Sequence, residues 1–382
     1  MASFVDIPSF FFLLLLLLLC FYPCSSTKHA GCFSKIYSFG DSLTDTGNTH
    51  SSEELMAFSH VSEPPYGMTY FHRPTNRFSD GRLVIDFLAQ TLGFPLLPPY
   101  RDSTADFSHG VNFAVAGGTA IDDEFYVLNR IFNKITFNNA LESLQTQLDW
   151  FTEFVEGVEC KGISLNECKK KMKNALFWVG EIGANDYTRI YGSSFRPDRV
   201  RDMAVANTIK FLRAVVGKGA KYIIVQGMPP TGCMAATMAM NKFMPKDDSG
   251  CIAGSNQNAA LHNKLLLEKL NQFRQQNPGV VVLYADFFNA YLYVQKNARK
   301  YGFQEPFKTC CGYGGGLYNF DMKSTCGYPG ATKPCTDPTK YINWDGVHLT
   351  EAMYSKLASL FFNQSYCQPS FDQLIKSKKC VH

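Results

Sequence analysis

The stretch that decides the fold is Lys35–Phe39 (KIYSF), followed directly by Gly40–Asn48 (GDSLTDTGN). The first part is a short, mostly apolar run that contains an isoleucine and aromatic residues, which is typical of a buried strand. The second part begins with glycine, aspartate and serine, which are residues of turns and helix starts. A strand that leads at once into such a turn predicts the first unit of a sheet covered by helices.

Four further runs of the same kind follow along the chain: Gly110–Val115, Leu176–Gly180, Tyr222–Gln226 and Val280–Tyr284. Each is nearly continuous in apolar residues instead of alternating, as expected for strands that are buried on both faces of a parallel sheet. Helix-like segments lie between the runs, notably Asn256–Gln275, where apolar residues recur at three- and four-residue spacing. The alternation predicts an α/β fold with a parallel sheet that helices cover on both sides.

The N-terminus has the features of a secretory signal peptide over residues 1–26. An apolar stretch that includes the unbroken run Leu13–Leu19 is followed by Pro23 and small residues, and it is too short for a comfortable membrane span. No Lys or Arg precedes the run, so an uncleaved anchor is the alternative. We predict one domain over residues 27–382 in a secreted protein, either extracellular or in the cell wall, with the vacuole and ER lumen as further destinations. Asn363 begins an acceptor motif for N-glycosylation.

The composition is that of a globular protein, with 46% hydrophobic and 18% charged residues, so a sizeable core is available. The net charge of +4 is mild, and no basic block stands out beyond Lys169–Lys171, so nucleic-acid binding has no support. No stretch after the signal peptide is apolar over the length that a membrane span needs. We expect a monomer that acts on a small molecule.

Thirteen cysteines indicate an oxidising compartment. Cys20 and Cys24 would leave with the signal peptide, so an odd number remains and one thiol should be unpaired. Two close pairs suggest local disulfides: Cys160/Cys168 and Cys233/Cys251. Four more cysteines crowd a glycine-rich loop, and their connectivity stays open: Cys310, Cys311, Cys326 and Cys335. A zinc site is not favoured, because paired C-x-x-C spacing and a neighbouring His cluster are missing.

Functional groups of a parallel α/β sheet gather in loops at the carboxyl ends of the strands. Ser42 follows the first run, where the first N–H groups of a helix can point at an anion. The alternative is that Asp41 or Ser42 merely caps a helix. Gly117 and Gly118 follow the second run, and a glycine N–H there can donate to an oxyanion, although a Gly pair is also an ordinary turn.

Asn185 follows the third run, and its side-chain amide is a candidate for a second oxyanion donor. An Asx-turn made by Asn185 or Asp186 is the alternative, and Asp186 itself is interpreted as structural. Near the C-terminus, Asp345 stands three residues before His348, so it can accept from one imidazole nitrogen and leave the other for the Ser42 proton. A lone Asp-x-x-His is a weak signal, and a helix cap with a core histidine is the alternative. The G-x-S-x-G motif of other hydrolases is missing. Other histidines are interpreted as structural: His60, His72, His109 and His262.

Taken together, these segments resemble the plant GDSL esterase/lipase family, a branch of the SGNH hydrolases. The match is block for block, and intervening stretches match as well: Gly40–Leu43, the Gly117 block, Gly183–Asp186, Asp345–His348, Arg77–Arg82, Pro229–Cys233 and Cys310–Gly315. The resemblance implies a flavodoxin-like, three-layer α/β/α sandwich around a central parallel five-stranded sheet. It also implies that Ser42, Gly117, Asn185 and His348 are the four hallmark residues. Gly117 is preferred to Gly118 because similar proteins place the donor five residues after the counterpart of Asn112.

The predicted function is hydrolysis of carboxylic esters by two-step acyl transfer, without a metal or organic cofactor. Ser42 is the nucleophile, His348 the general base and Asp345 its orienting acid, while the oxyanion is held by Ser42 N–H, Gly117 N–H and Asn185. An acyltransferase that passes the acyl group to an alcohol is the main alternative. A wall-associated binding protein without turnover is the lesser one.

The acyl and alcohol parts of the substrate stay open at this stage. Tyr66, Tyr70, Phe71 and the aromatic-rich loops from Asp123 to Phe137 can line a pocket or belong to the core, and we expect core for most of them.

Overall fold

The computed structural model describes residues 29–50, 60–129, 131 and 142–378. The predicted signal peptide, residues 1–26, lies outside the described residues, and so does Phe137. The assignment of residues 27–382 to one domain stays a prediction. Within the described ranges, no helix has the length and apolarity that a membrane crossing requires.

The strands of the described residues form one large and one small sheet. In chain order they are β1 Ile36–Phe39, β2 Gly110–Asn112, β3 Leu176–Val179, β4 Tyr222–Gln226, β5 Val281–Ala285, β6 Glu305–Thr309, β7 Tyr341–Asn343 and β8 Cys367–Gln368. The large sheet has the order β2-β1-β3-β4-β5-β8, and β6 pairs with β7 in the small one. The first five strands of the large sheet are parallel, and β8 runs antiparallel to β5.

All five predicted strands are present, and the predicted parallel sheet is confirmed. The sixth strand, β8, was not predicted, because two residues are too few to form a recognisable apolar run. The prediction for the second strand was too long, since β2 ends at Asn112 and Phe113–Val115 already belong to the following loop.

Helices cover both faces of the large sheet. In chain order they are α1 Val84–Thr91, α2 Asp123–Leu128, α3 Leu144–Phe154, α4 Leu165–Met172, α5 Ala184–Arg189, α6 Pro197–Gly217, α7 Ala235–Met240, α8 Ala253–Gln276, α9 Phe287–Lys296, α10 Glu351–Asn363 and α11 Phe371–Lys378. Helices α1, α9, α10 and α11 share one buried apolar cluster with the sheet, whereas α3, α6 and α8 share the other. The architecture is therefore the expected three-layer α/β/α sandwich.

Strand β1 shows why its sequence is apolar at nearly every position. Successive side chains of a strand point to opposite faces of the sheet. Ile36 accordingly joins the cluster under α1 and α10, while Tyr37 and Phe39 join the cluster under α3 and α6. The ring of Phe39 lies 4.9 Å from that of Phe211 on α6 and 5.3 Å from that of Phe113. Both faces are covered, so neither can be polar.

The strand order creates a crevice at the carboxyl end of β1. From β1 the chain passes to β2 on one side, and it then crosses back to place β3, β4 and β5 on the other side of β1. Loops that follow the strands therefore diverge at this position, which is the topological switch point where open α/β sheets bind ligands. The loops after β1 and β3 flank the crevice.

Disulfides secure the loops on the outside of the sandwich. Both predicted local bonds are present: Cys160–Cys168 and Cys233–Cys251. In the glycine-rich loop the bonds are nested: Cys310–Cys335 encloses Cys311–Cys326. Cys32 is also disulfide-bonded. Among the described residues Cys367 on β8 is the free thiol, and it is buried, in agreement with the predicted odd cysteine.

A buried ion pair fastens the segment after residue 76 to helix α1. Arg77 Nε and Nη2 donate to the two carboxylate oxygens of Asp86, each at 2.9 Å, and Nη1 donates to the Thr46 carbonyl at 3.0 Å. Asp86 also accepts the backbone N–H of Leu83 at 2.9 Å, which begins the helix. Both charged side chains are almost fully buried.

We predict that Arg77→Met destabilises the fold strongly. Removing one partner of a buried pair leaves the other charge desolvated and uncompensated, which typically costs about 3–5 kcal/mol. Thermal and denaturant unfolding of the secreted chain measure the change. Arg196→Met is the matched control, because Arg196 forms an exposed pair with Asp198 and its loss should leave the unfolding midpoint unchanged. Equal unfolding midpoints for the two variants would contradict the prediction.

Candidate active site

Ser42 lies at the carboxyl end of β1, in the turn that the GDSL segment forms. Gln147 of α3 holds this turn from behind: Gly40 N–H donates to Gln147 Oε1 at 2.9 Å, and Gln147 Nε2 donates to the Gly40 carbonyl at 2.8 Å. Ser42 is largely buried and lines a cavity in the crevice beside β1. Its position is therefore set by two hydrogen bonds to the backbone two residues earlier.

Asp345 and His348 lie in the loop between β7 and α10. The backbone N–H groups of Val347 and His348 donate to Asp345 Oδ1 at 3.1 and 2.9 Å. Thr350 Oγ1 accepts the N–H of Met353 and begins α10 directly after this loop. The turn leaves Asp345 Oδ2 free to face the imidazole, and the distance from Oδ2 to His348 Nδ1 is 2.7 Å.

The structure brings three of the predicted site residues into one chain of hydrogen bonds. His348 Nε2 lies 2.8 Å from Ser42 Oγ, while Nδ1 of the same ring contacts Asp345. All three side chains are buried, and Asp345 has no exposed surface. A carboxylate on one imidazole nitrogen and a hydroxyl on the other is the arrangement in which the ring can remove the hydroxyl proton.

Tyr66 completes the environment of Asp345. Its hydroxyl donates to Asp345 Oδ2 at 2.8 Å, and its ring is fully buried. The expected core position is confirmed for Tyr66, whereas Tyr70 is exposed and Phe71 is only partly buried. The contact with Asp345 was not expected, because it joins residues far apart in sequence and leaves no local signal. Burial alone would raise the pKa of Asp345, but the charge of His348 and the hydrogen bonds from His348 and Tyr66 hold that pKa below its ordinary value.

Backbone N–H groups near Ser42 are open to a ligand. Within the described part of the chain, Ser42 N–H and Gly117 N–H donate to no other group. Gly117 has φ +76°, a conformation that favours glycine, and it lines the cavity. Gly118 N–H, in contrast, donates to the Val115 carbonyl at 3.0 Å. Of the two glycines, Gly117 is therefore the one whose N–H is available.

Asn185 lies at the start of α5 and lines the same cavity. Its Nδ2 is 3.0 Å from Asp41 Oδ2 and 3.0 Å from the Gly118 carbonyl. An amide nitrogen carries two hydrogens, so both have an acceptor here. To donate to a bound substrate, the amide must share one of these hydrogens between the substrate and its present acceptor. The sequence could not indicate these two acceptors.

Asp186 takes a different role from its neighbour. It accepts from the N–H groups of Ala120 and Ile121, each at 2.9 Å, and from the hydroxyl of Tyr126 at 2.8 Å. Burial raises its pKa to about 6, although these hydrogen bonds oppose the shift. Asp186 thus fastens the loop of Gly117 to helix α5, in line with its structural interpretation.

Two buried carboxyl groups lie beneath the site, and one of them has no sequence signal. Asp41 and Glu181 follow the paired ends of β1 and β3, and burial raises the pKa of both carboxyls. Glu181 stands in the loop after β3, four residues before Asn185. Nothing in its local sequence distinguishes it from an exposed loop glutamate.

The cavity beside Ser42 is large and mostly apolar. It has a volume of about 430 Å³ and extends from Ser42 and His348 to the space between α5 and α7. Its apolar wall is formed largely by methionines and aromatic residues: Met228, Met234, Met240, Tyr187, Tyr191 and Phe195. Among the described residues that line it there is no Lys or Arg, so it presents no positive side chain to a substrate.

The chain has extensive similarity to known proteins. A family model described as GDSL-like Lipase/Acylhydrolase matches residues 36–361. GDSL esterase/lipase At3g48460 of Arabidopsis thaliana is 44% identical over 353 residues, which are 91% of this chain and 90% of the relative. Acetylajmalan esterase 2 of Rauvolfia serpentina is 39% identical over 326 residues, which are 84% of this chain and 87% of the relative.

Similarity to solved structures is more distant. A variant of an acetyl-xylooligosaccharide esterase from Geobacillus aligns with 70% of this chain and 81% of its own length, at 15% identity and a TM-score of 0.31. The family match and the plant relatives confirm the resemblance that the four sequence blocks carry. The chain belongs to the GDSL-like lipase/acylhydrolase family and is a carboxylic ester hydrolase.

Proposed function

We propose that the protein is a secreted serine esterase that works through an acyl-Ser42 intermediate, with His348 and Asp345 completing its triad. The observation that carries the proposal is the chain of short hydrogen bonds from Asp345 through His348 to Ser42. The cavity opens directly at Ser42, so an ester carbonyl can reach its hydroxyl oxygen.

In the first step His348 Nε2 removes the proton of Ser42 as its oxygen attacks the ester carbonyl. Asp345 fixes the imidazole so that Nδ1 carries the proton, and it stabilises the imidazolium that forms. Its lowered pKa keeps it ionised for this purpose. The imidazolium then gives its proton to the leaving alcohol. In the second step His348 activates a water molecule that releases the acid and restores Ser42.

Negative charge develops on the carbonyl oxygen in both steps. The free N–H groups of Ser42 and Gly117 are two donors for it, and Asn185 Nδ2 is the third. Preorganised donors of this kind usually supply the largest single contribution to acyl-transfer catalysis, since each is worth ~10²–10³ in rate.

Secretion is supported by the apolar N-terminal stretch and by the disulfides, which form and persist in oxidising compartments. Asn363 is exposed at the end of α10, where an oligosaccharide chain has room, so we include it as a glycosylation site. We also propose that the protein is a monomer.

The substrate we propose is an uncharged ester with one bulky apolar part. A cavity of about 430 Å³ with a mostly apolar wall fits such a group, and no Lys or Arg in the described lining would pair with an anionic one. Hydrolysis and transfer to an alcohol share the acyl-Ser42 intermediate. Release of free acid without an added acceptor distinguishes the two.

We predict that Ser42→Ala lowers kcat for p-nitrophenyl butyrate by at least about 10³-fold, because the variant lacks the nucleophile. The assay follows p-nitrophenol and free butyrate from the full secreted chain. Ser377→Ala, which changes an exposed serine on α11, is the control and should behave as the wild type. Equal rates for Ser42→Ala and wild type would remove Ser42 from the mechanism. Release of p-nitrophenol without free butyrate would indicate transfer of the acyl group to another acceptor.

We predict that kcat/KM rises at least about tenfold from p-nitrophenyl acetate to the hexanoate, because each buried methylene contributes ~0.8 kcal/mol. Thr237→Phe fills the cavity between α5 and α7 and should remove most of this preference while sparing the acetate. Thr104→Phe, at an exposed position outside the lining, is the control. A chain-length preference that survives Thr237→Phe would place the acyl group elsewhere.

A further inference from the structure

Asp41 and Glu181 form an unusual pair beneath the oxyanion donors. They come from the loops after β1 and β3, and they are only 2% and 1% exposed. Phe39 pairs with Val179 at the ends of these two strands, so Asp41 and Glu181, two residues further on, are neighbours, and each carboxyl shifts the pKa of the other. Two neighbouring buried carboxylates repel each other, and the buried Glu181 Oε2 has no donor among the described residues, so a proton held between the two carboxyls is the arrangement that satisfies both. Within the described residues neither carboxyl forms a salt bridge with a Lys or Arg.

The donors around the pair decide which carboxyl holds the proton. Asp41 Oδ1 accepts Leu43 N–H at 2.9 Å, and Oδ2 accepts Asn185 Nδ2 at 3.0 Å. Glu181 Oε1 accepts Ala184 N–H at 2.9 Å, but its Oε2 finds no donor among the described residues. Asp41 thus has a donor on each oxygen and is the ionised carboxylate, whereas Glu181 is the protonated carboxylic acid. Burial, and then the charge of Asp41, raise the pKa of Glu181 well above its ordinary value.

The other titratable groups around the pair do not replace this proton. His348 faces Asp41, and Asp186 faces Glu181. Tyr187 and Tyr354 are neutral, because burial raises the pKa of both hydroxyls. His262 of α8, beside Gly183, is also neutral, because burial lowers its pKa to about 4. From β4 the neighbour is the uncharged Gln226, whose Oε1 accepts Glu181 N–H.

We propose that Glu181, in its protonated form, is a positioning residue for the oxyanion donor Asn185. It holds Asp41 in place, and Asp41 in turn binds Asn185 Nδ2, which fixes the orientation of the amide in the site. A flipped amide would place its oxygen against the carboxylate of Asp41. The inference rests on the proposed esterase function.

The shared proton also limits the charge beneath the reaction centre. With it, the pair carries one negative charge; without it, two carboxylates would lie beside a site where an oxyanion has to form. Because Glu181 has a raised pKa, the active form is the one below that pKa, and kcat should fall as the pH rises through it. The fall should be seen in kcat more than in KM, since the charge acts on the transition state.

Two variants of Glu181 separate positioning from simple packing. In Glu181→Gln the amide oxygen can still accept Ala184 N–H while Nε2 donates to Asp41, and this donor cannot be lost at high pH. In Glu181→Leu the side chain keeps a similar volume but has no donor. We would measure kcat and KM against pH for p-nitrophenyl butyrate, with the full secreted chain and Ser42→Ala in the same series.

Glu181→Leu should lower kcat about tenfold or more at pH 7 with little change in KM, because a misdirected oxyanion donor weakens transition-state binding. Glu181→Gln should restore most of this kcat and should lack the alkaline fall that the wild type shows. An alkaline fall that is identical in Glu181→Gln and wild type would overturn the proposal. So would a Glu181→Leu variant with the kcat of the wild type.

Infrared difference spectra give a readout that does not depend on turnover. At a pH below the alkaline fall in kcat the wild type should show the carbonyl band of a protonated carboxyl group, and Glu181→Gln should lack it. No difference between the two spectra would overturn the shared proton even if all variants are inactive. Hydrolysis by Ser42→Ala at the wild-type rate would instead overturn the esterase mechanism, so the two failures can be distinguished.

Discussion

The geometry of the site depends on one buried chain of hydrogen bonds, from Asp345 through His348 to Ser42. An ionised carboxylate without water is costly unless donors surround it. Here the loop itself supplies two backbone N–H groups to Oδ1, and Tyr66 supplies a hydroxyl to Oδ2. With its oxygens occupied in this way, Asp345 can hold the imidazole at 2.7 Å and orient its other nitrogen toward Ser42.

The fold provides the two ends of that chain by different means. Ser42 is placed by the sheet, because β1 is buried on both faces and ends at the switch point of the strand order. The loop of His348 lies outside the large sheet, and the disulfide-bonded loop supports it: Cys310 and Cys311 N–H donate to the carbonyls of Asn343 and Trp344 at 3.0 and 2.7 Å. A small apolar cluster of Tyr66, Phe78, Trp344 and these cysteines packs behind it. The disulfides thus contribute to the geometry of the site as well as to stability.

The features that could be predicted from the sequence are those that depend on residues close together in the chain. The five parallel strands follow from their apolar runs, and Ser42, Asp345 and His348 lie in short motifs whose spacing already fits a triad. Tyr66 and Glu181 could not be found in this way, because each acts through a partner that only the tertiary fold brings near. The nesting of Cys310–Cys335 around Cys311–Cys326 and the two acceptors of Asn185 are likewise set by the packing of loops. Strand β8 is too short to leave a pattern.

The most direct test of the central claim is to locate the acyl group on the protein during turnover. The secreted chain is mixed with p-nitrophenyl butyrate, quenched in acid after the first turnover, digested and analysed by tandem mass spectrometry. The account predicts a butyryl group on Ser42, absent from the Ser42→Ala chain. Turnover that leaves Ser42 unmodified, or that places the acyl group on another residue, would contradict it.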